Sequence, residues 1–169
     1  MHLSDLVVTD RMNKVCVLLT GIAKKMKQSK DEGQAFVAGM DVDEKLHVTC
    51  VVIGVSGATN RHQMGILVNA LRDQDEKTKF VAVGICLDVT FTEQSTGKKT
   101  DAIYVCLEDR DGNAEDVVFP YKKRLLGGFK VESPQSKVAE PRVYGPKGDE
   151  LVALIKGKVR STTRSTEGA

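Results

Sequence analysis

The sequence predicts an α+β protein, a two-layer sandwich in which about five mainly antiparallel strands carry two helices on one face. Apolar residues alternate strictly in three runs between Lys79 and Tyr121, which indicates a three-stranded meander. Two other segments place apolar residues at three- and four-residue steps, as amphipathic helices do. A pair of short alternating runs lies between these helices. The predicted order is therefore α-β-β-α-β-β-β, followed by an irregular C-terminal segment.

The first helix is expected over residues 4–30. Ser4 or Thr9 is a suitable N-cap, because a hydroxyl oxygen can accept a hydrogen bond from the first turn. Residues 31–33 end the helix with a glycine. Its apolar stripe should pack on the meander. The stripe comprises Val15, Cys16, Leu19, Ile22, Ala23 and Met26.

A hairpin and a second helix come next. Alternation predicts strands over residues 34–40 and 45–53, joined by an acidic turn. A loop of small residues follows, and Thr59 or Asn60 is the natural N-cap of a helix over residues 61–73. The apolar face of this helix is formed by Met64, Leu67, Val68 and Leu71.

The meander is the expected centre of the sheet. Because successive strand residues point to opposite sides, each alternating run should form one apolar face. We expect the three runs to share that face, under both helices. The runs are Val81, Val83, Ile85, Leu87, Val89 and Phe91, then Ile103, Val105 and Leu107, then Val117, Phe119 and Tyr121.

The pattern weakens after Tyr121. Residues 129–131 can add a short edge strand, three prolines mark irregular chain, and residues 151–155 suit one or two helical turns. We therefore expect one α+β domain over residues 1–131 and an irregular segment over 132–160 that packs on or near it. Residues 161–169 are polar and repetitive, as in a disordered tail.

Composition indicates a soluble domain. The 169 residues are 41% hydrophobic and 28% charged, and no apolar run reaches the roughly 20 residues of a membrane span. The first 14 residues do not resemble a signal peptide. We therefore expect a cytoplasmic protein, of bacterial or phage origin, without a membrane partner or a cofactor. The four cysteines should be buried thiols.

Charge is distributed unevenly along the chain. Residues 1–120 carry 14 Lys and Arg against 18 Asp and Glu, whereas residues 121–169 carry 11 against 5. Such a basic third can bind nucleic acid, or it can be an ordinary solvated segment. The cations are scattered and aromatic residues are few, which favours the second interpretation.

The loop between the hairpin and the second helix is a candidate anion site. Its glycines and the N-terminus of the helix can present backbone N–H groups to a phosphate. The loop lacks the lysine and the spacing of known phosphate-binding motifs, so a tight turn also explains it. The candidate residues are Gly54, Ser56, Gly57, Thr59 and Asn60.

Metal sites have little support in the sequence. Residues 109–115 carry acidic side chains, but an Asp-Gly pair between two strands is typical of a hairpin turn rather than a calcium loop. The three histidines, His2, His47 and His62, are scattered and the cysteines lack paired spacing, so no zinc site is predicted.

Asp88 and Glu108 form the candidate catalytic pair, with Arg110 beside them. The arrangement loosely resembles restriction-endonuclease-like nucleases, in which strand carboxylates hold magnesium and a lysine follows. Pairing Val89 with Ile103 places Glu108 four residues along the strand from Asp88. At about 3.4 Å per residue this is too far for one ion, so solvated charges are the alternative interpretation.

A patch of small residues is expected on the second face of the meander. Its members are Ala82, Gly84, Cys86, Ala102, Tyr104 and Cys106. The C-terminal segment, a second copy of the chain or another protein can cover such a patch. Without a recognisable catalytic cluster, the favoured function is that of a small soluble binding or interaction protein whose partner is a second copy of itself, as a homodimer, or an unidentified protein. A metal-dependent phosphoryl hydrolase is the alternative.

Overall fold

The computed structural model describes residues 9–28, 35–51, 60–92 and 94–155. Two long helices and seven strands follow one another along these residues, and residues 146–155 form a further helix, α3. The bounds are α1 Asp10–Gln28, β1 Ala35–Asp41, β2 Leu46–Val51, α2 Asn60–Lys77, β3 Phe80–Thr92, β4 Lys99–Asp109, β5 Ala114–Lys123, β6 Phe129–Val131 and β7 Gln135–Val138.

All seven strands belong to one antiparallel sheet with the order β2-β1-β3-β4-β5-β6. Both β6 and β7 pair with β5. The first pairs with its C-terminal end, from Tyr121 to Lys123, and the second with the stretch from Glu115 to Val118. The long strand β3 lies at the centre, between β1 and β4. Segments far apart in sequence therefore meet on both faces of β3 and β4.

The register of β3 and β4 differs by one residue from the expected register. Asp88 pairs with Ile103, and Val89 pairs with Ala102 rather than with Ile103. Directly paired residues point to the same side of a sheet, so a slip of one residue changes which side chains of the two strands share a face. Val83, Ile85 and Leu87 consequently share a face with Cys106 and Tyr104, not with Val105 and Leu107.

Helix α1 packs on one face through Val15, Cys16 and Leu19, which are all fully buried. The β3 residues on this face are the small ones. A Cβ atom at Gly84 would lie 2.7 Å from Leu19 Cδ1 and 2.7 Å from Val15 Cγ1, so only glycine lets the helix approach this closely. Thr9 caps the helix, since its Oγ1 accepts a hydrogen bond from Met12 N at 3.3 Å.

Helix α2 packs on the opposite face. Leu67, Val68 and Leu71 are fully buried against Val83 and Ile85 of β3. Beyond α2, this face is covered by the segment of residues 142–155, whose Val143, Leu151 and Val152 belong to the same cluster. We call this side of the sheet the α2 face and the other the α1 face.

The structure confirms the α+β class and the antiparallel sheet, and it corrects the counts and the layers. The described residues form seven strands rather than five, and three helices rather than two. The helices do not share one face, so the sheet lies between two layers. The physical reason is that β3 is apolar on both sides: its large residues face α2, and its small residues leave room for α1.

The expected small-residue patch does not form one surface. Ala82, Gly84 and Cys86 lie beneath α1, whereas the other three members belong to the α2 face. Five of the six are buried and Tyr104 is half-buried, so this set is not available to a second subunit. Three of the four cysteines, Cys16, Cys86 and Cys106, are buried thiols as expected, but Cys50 is exposed on β2.

Several sequence-based predictions fall outside the described residues. These are the start of the first helix before Thr9, the small-residue loop from Gly54 to Thr59 and the tail of residues 161–169. Asn60 is described only as the first residue of α2.

Candidate functional site

A cavity of about 700 Å³ opens on the α2 face, between α2, α3 and the strands β3, β4, β5 and β7. Its floor is apolar, because the strands contribute Leu87, Val89, Tyr104 and Val118. Met64 from α2 and Leu151 from α3 add apolar side chains to the lining. Charged and polar side chains complete the lining: Arg61, Thr90, Asp116, Gln135, Ser136, Lys137, Arg142, Lys147 and Glu150, together with Phe91.

Strand register assembles this floor from four different strands. Leu87 of β3 pairs with Tyr104 of β4, Tyr104 pairs with Val118 of β5, and Val118 pairs with Gln135 of β7. Paired residues lie side by side on the same face of a sheet. A continuous row therefore runs across the floor from an apolar end to a polar end.

Asp116, Tyr104 and Arg142 form a hydrogen-bonded cluster in the cavity. Arg142 donates to both carboxylate oxygens of Asp116, at 2.7 and 2.9 Å, and the Tyr104 hydroxyl donates to the same carboxylate. Burial alone would raise the pKa of Asp116, but the hydrogen bonds from Arg142 and Tyr104 outweigh it and hold the pKa below its usual range. The hydrogen bonds to Asp116 also raise the pKa of Arg142. This cluster is an ion pair at the working pH of most proteins.

Glu108 holds the backbone that presents Arg142. Its carboxylate accepts hydrogen bonds from Val143 N, at 2.9 and 2.8 Å, and from Tyr144 N, at 3.2 Å. Arg72 of α2 supports the same stretch from the other side, donating to the carbonyl of Val143 at 2.9 Å and that of Gly145 at 3.1 Å. The cavity wall is thus attached to the sheet and to α2 by side chains distant in sequence.

Arg110, which the hydrolase alternative uses beside the carboxylate pair, has a structural role instead. Its guanidinium donates to both oxygens of Asp75, at 2.7 and 2.5 Å, and to the carbonyl of Phe80 at 2.6 Å. It also lies over the ring of Tyr144, 4.6 Å from the centroid. Arg110 therefore fixes α2 and the C-terminal segment to the start of β3.

The candidate pair Asp88 and Glu108 is not brought together. Asp88 lies on the α1 face, paired with Ile103, and accepts a hydrogen bond from the Tyr121 hydroxyl at 2.8 Å. Glu108 lies on the α2 face and points at the backbone of Val143. Carboxylates on opposite faces of a sheet cannot share an ion. Within the described residues, no group of three or more His, Cys, Asp or Glu side chains could hold a metal.

Basic residues outnumber acidic ones around the cavity. Asp116 already balances Arg142, which leaves Arg61, Lys137 and Lys147 against Glu150. Lys147 also lies 4.0 Å from Glu140, a surface contact of the kind that contributes little. The charge of the lining as a whole therefore favours an anionic group over a cationic one.

The sequence did not single out most of these residues. Arg142 and Lys137 stand in a segment without alternation, and nothing in their spacing connects them with Asp116 or Leu87. The pairing of β7 with β5 sets Lys137 beside Asp116, and a hydrogen bond joins Arg142 to Asp116. Tyr104 was expected on an exposed patch, and here it forms part of a cavity floor.

Among the residues that the structure describes, no helix is both long enough and apolar enough to cross a bilayer. No protein-family model matches the chain, and comparisons with curated proteins and with solved structures found no match.

Proposed function

We propose that this chain is a binding protein whose ligand is a small amphipathic anion, held in the cavity on the α2 face. The ligand class is an apolar or aromatic body that carries one carboxylate, phosphate or sulfonate group. The single observation that supports this most directly is the cavity of about 700 Å³, which lies in the range of small-molecule sites.

The lining supports the chemistry of the ligand. An apolar body would rest on Leu87, Tyr104 and Val118, where contact removes apolar surface from water. An anionic group would face Lys137, which extends from β7 beside the Asp116–Arg142 ion pair. Since that ion pair is internally balanced, it contributes hydrogen-bonding groups rather than net charge.

The residues that the hydrolase alternative would use have other roles in the structure, which also favours a binding protein. Glu108 and Arg110 are engaged in holding the C-terminal segment and α2 in place. Asp88 lies on the other face of the sheet. The hydrolase alternative therefore has no carboxylate pair to support it, and we do not propose it.

Titration with the fluorescent dye 1-anilinonaphthalene-8-sulfonate tests the proposal, because this dye is an aromatic body with one sulfonate. We expect saturable binding by the wild type that weakens with added salt. N-phenyl-1-naphthylamine, a similar body without the charge, should bind more weakly. Val118→Trp, which fills the cavity floor, should abolish dye binding while the thermal melting curve stays cooperative.

Two further variants locate the anion. Lys137→Gln should weaken dye binding several-fold and reduce its salt dependence, whereas the exposed Lys24→Gln on α1 should leave both unchanged. Unaltered dye binding in Val118→Trp would show that the cavity is not the site. Equal affinity for the two probes in the wild type, with no effect of Lys137→Gln, would refute recognition of an anion.

A further inference from the structure

Leu125 and Leu126 are fully exposed at the tip of the hairpin that joins β5 to β6. We call residues 124–128 the hairpin tip. Single exposed apolar residues are common on protein surfaces, but two adjacent leucines without any burial are not. The lining of the cavity described above includes none of the residues of the tip.

The turn itself is well formed, so the exposure is not a consequence of an irregular loop. Gly127 N donates to the Arg124 carbonyl at 3.2 Å, and Arg124 N donates to the Gly128 carbonyl at 3.0 Å. Gly127 and Gly128 have φ values of 96° and 76°, which glycine adopts without strain. These bonds place the leucines at the two central turn positions, where Asn, Asp, Gly, Ser or Pro is usual.

The base of the hairpin is anchored in the core. Tyr121 is buried, packs edge-on against Phe129 at a centroid distance of 5.7 Å, and bonds to Asp88 through its hydroxyl. The register continues from Tyr121–Val131 to Lys123–Phe129 up to the turn. The two leucines are thus presented at a fixed position beyond the sheet, as a protrusion.

The protrusion is surrounded by positive charge. Lys122, Lys123, Arg124 and Lys130 are all exposed, and the sequence from Tyr121 to Val131 contains no acidic residue. Lys122 lies 3.2 Å from Glu132 in an exposed pair. Four cations therefore border two apolar side chains at one end of the molecule.

We propose that the hairpin tip inserts into the surface of an anionic lipid bilayer. An apolar tip bordered by cations matches the surface of a bilayer, where charged headgroups lie above an apolar interior. Each cation near such a surface strengthens binding about fivefold, and the leucines add burial that salt does not screen. This is peripheral attachment, which requires no membrane-spanning segment.

Vesicle binding by the full chain tests the proposal. The sequence contains no tryptophan, so Leu126→Trp gives a unique fluorophore at the tip. We expect its emission to shift to shorter wavelength with phosphatidylcholine vesicles that contain phosphatidylserine, and little shift with phosphatidylcholine alone. The wild type should co-sediment with the anionic vesicles, and Leu125→Ser with Leu126→Ser should reduce this about tenfold or more.

Val42→Ser is the matched control, because Val42 is an exposed apolar residue in the β1–β2 turn beside Asp43 and Glu44. It should not alter vesicle binding. Absence of co-sedimentation with either vesicle would overturn the proposal. Co-sedimentation that the double serine variant does not reduce would also overturn it, because charge alone would then explain the binding. Self-association of the wild type that the double variant loses, without any vesicle binding, would overturn it as well. The double variant should retain dye binding in the α2-face cavity, which separates this inference from the proposed function.

Discussion

Arg142 and Asp116 join the C-terminal segment to the sheet through two hydrogen bonds, of 2.7 and 2.9 Å, at a carboxylate whose side chain is only 2% exposed. They are 26 residues apart in sequence, and they meet because β4 and β5 bring Asp116 to the α2 face. Both residues line the candidate cavity. It also determines how residues 142–155 lie over the strands.

Arg142→Ala should destabilise the protein by about 3–5 kcal/mol, because it leaves a buried carboxylate without its cation. Equilibrium unfolding in urea at neutral pH measures the loss. Asp116→Ala combined with Arg142→Ala should cost less than the sum of the single changes, since the two side chains act together. The exposed Arg124→Ala should change stability by about 0.5 kcal/mol or less.

The same pair predicts a dependence on pH. The pKa of Asp116 is lowered in the folded state, so its contribution is present above the unfolded pKa and is lost as the pH falls through the folded pKa. The penalty of Arg142→Ala should therefore shrink below about pH 4, where protonation removes the uncompensated charge. An equal penalty at pH 3 and pH 7 would contradict the ion pair.

Leu19→Ala should cost about 2–5 kcal/mol, because Leu19 is fully buried between α1 and the sheet. Val17→Ala, on the same helix but 52% exposed, is the matched control and should cost far less. Urea unfolding of both variants provides the comparison. A loss below about 0.5 kcal/mol for Leu19→Ala would mean that α1 is not docked as described.

Gly84→Ala tests the close approach of α1 to β3. The added Cβ would lie 2.7 Å from both Leu19 and Val15, and overpacking of this kind costs about 1–3 kcal/mol. Combining it with Val15→Ala should recover part of the loss. Gly21→Ala in α1 meets no atom within 4 Å and should instead stabilise the helix by about 0.5–1 kcal/mol. Melting temperatures that move in the same direction for both variants would contradict this packing.

Local patterns were sufficient to predict the central elements of the fold, but neither β7 nor the arrangement of the elements. Alternation located β3, β4 and β5, and three- and four-residue steps located α1 and α2. Alternation within one strand, however, does not specify how a neighbouring strand is aligned to it. The expected partner of Val89 is Ile103, and the observed partner is Ala102. That single step assigned the large residues of β3 to the wrong face.

The candidate site depended on the same step and on long-range pairing. With the observed register, Leu87 joins Tyr104 and Val118, and the floor of the cavity follows. The pairing of β7 with β5 cannot be inferred from Gln135–Val138, because all four of its residues are exposed and show no apolar alternation. The role of Arg142 cannot be inferred from local sequence either, because it depends on a contact with Asp116, 26 residues away.

Glu108 attaches the C-terminal segment to the sheet through backbone N–H groups. The residue is 2% exposed, and its carboxylate accepts three hydrogen bonds from the backbone N–H groups of Val143 and Tyr144. Burial raises the pKa of Glu108, and the hydrogen bonds from Val143 and Tyr144 only partly oppose this. The folded state therefore holds the proton on Glu108 more tightly than the unfolded chain does.

Glu108→Gln should gain stability relative to the wild type as the pH rises from about 4 to 7. A raised carboxyl pKa contributes stability that is present below the unfolded pKa, about 4.3, and is lost as the pH rises through the folded pKa. Glutamine cannot ionise, so the Glu108→Gln variant does not lose stability in this way as the pH rises. Glu108→Ala should be the least stable of the three at every pH, since it leaves the N–H groups of Val143 and Tyr144 without an acceptor. The unfolding free energies of the three proteins are measured across this pH range. If the stability of Glu108→Gln relative to the wild type stays constant or falls as the pH rises, the pKa of Glu108 is not raised by burial.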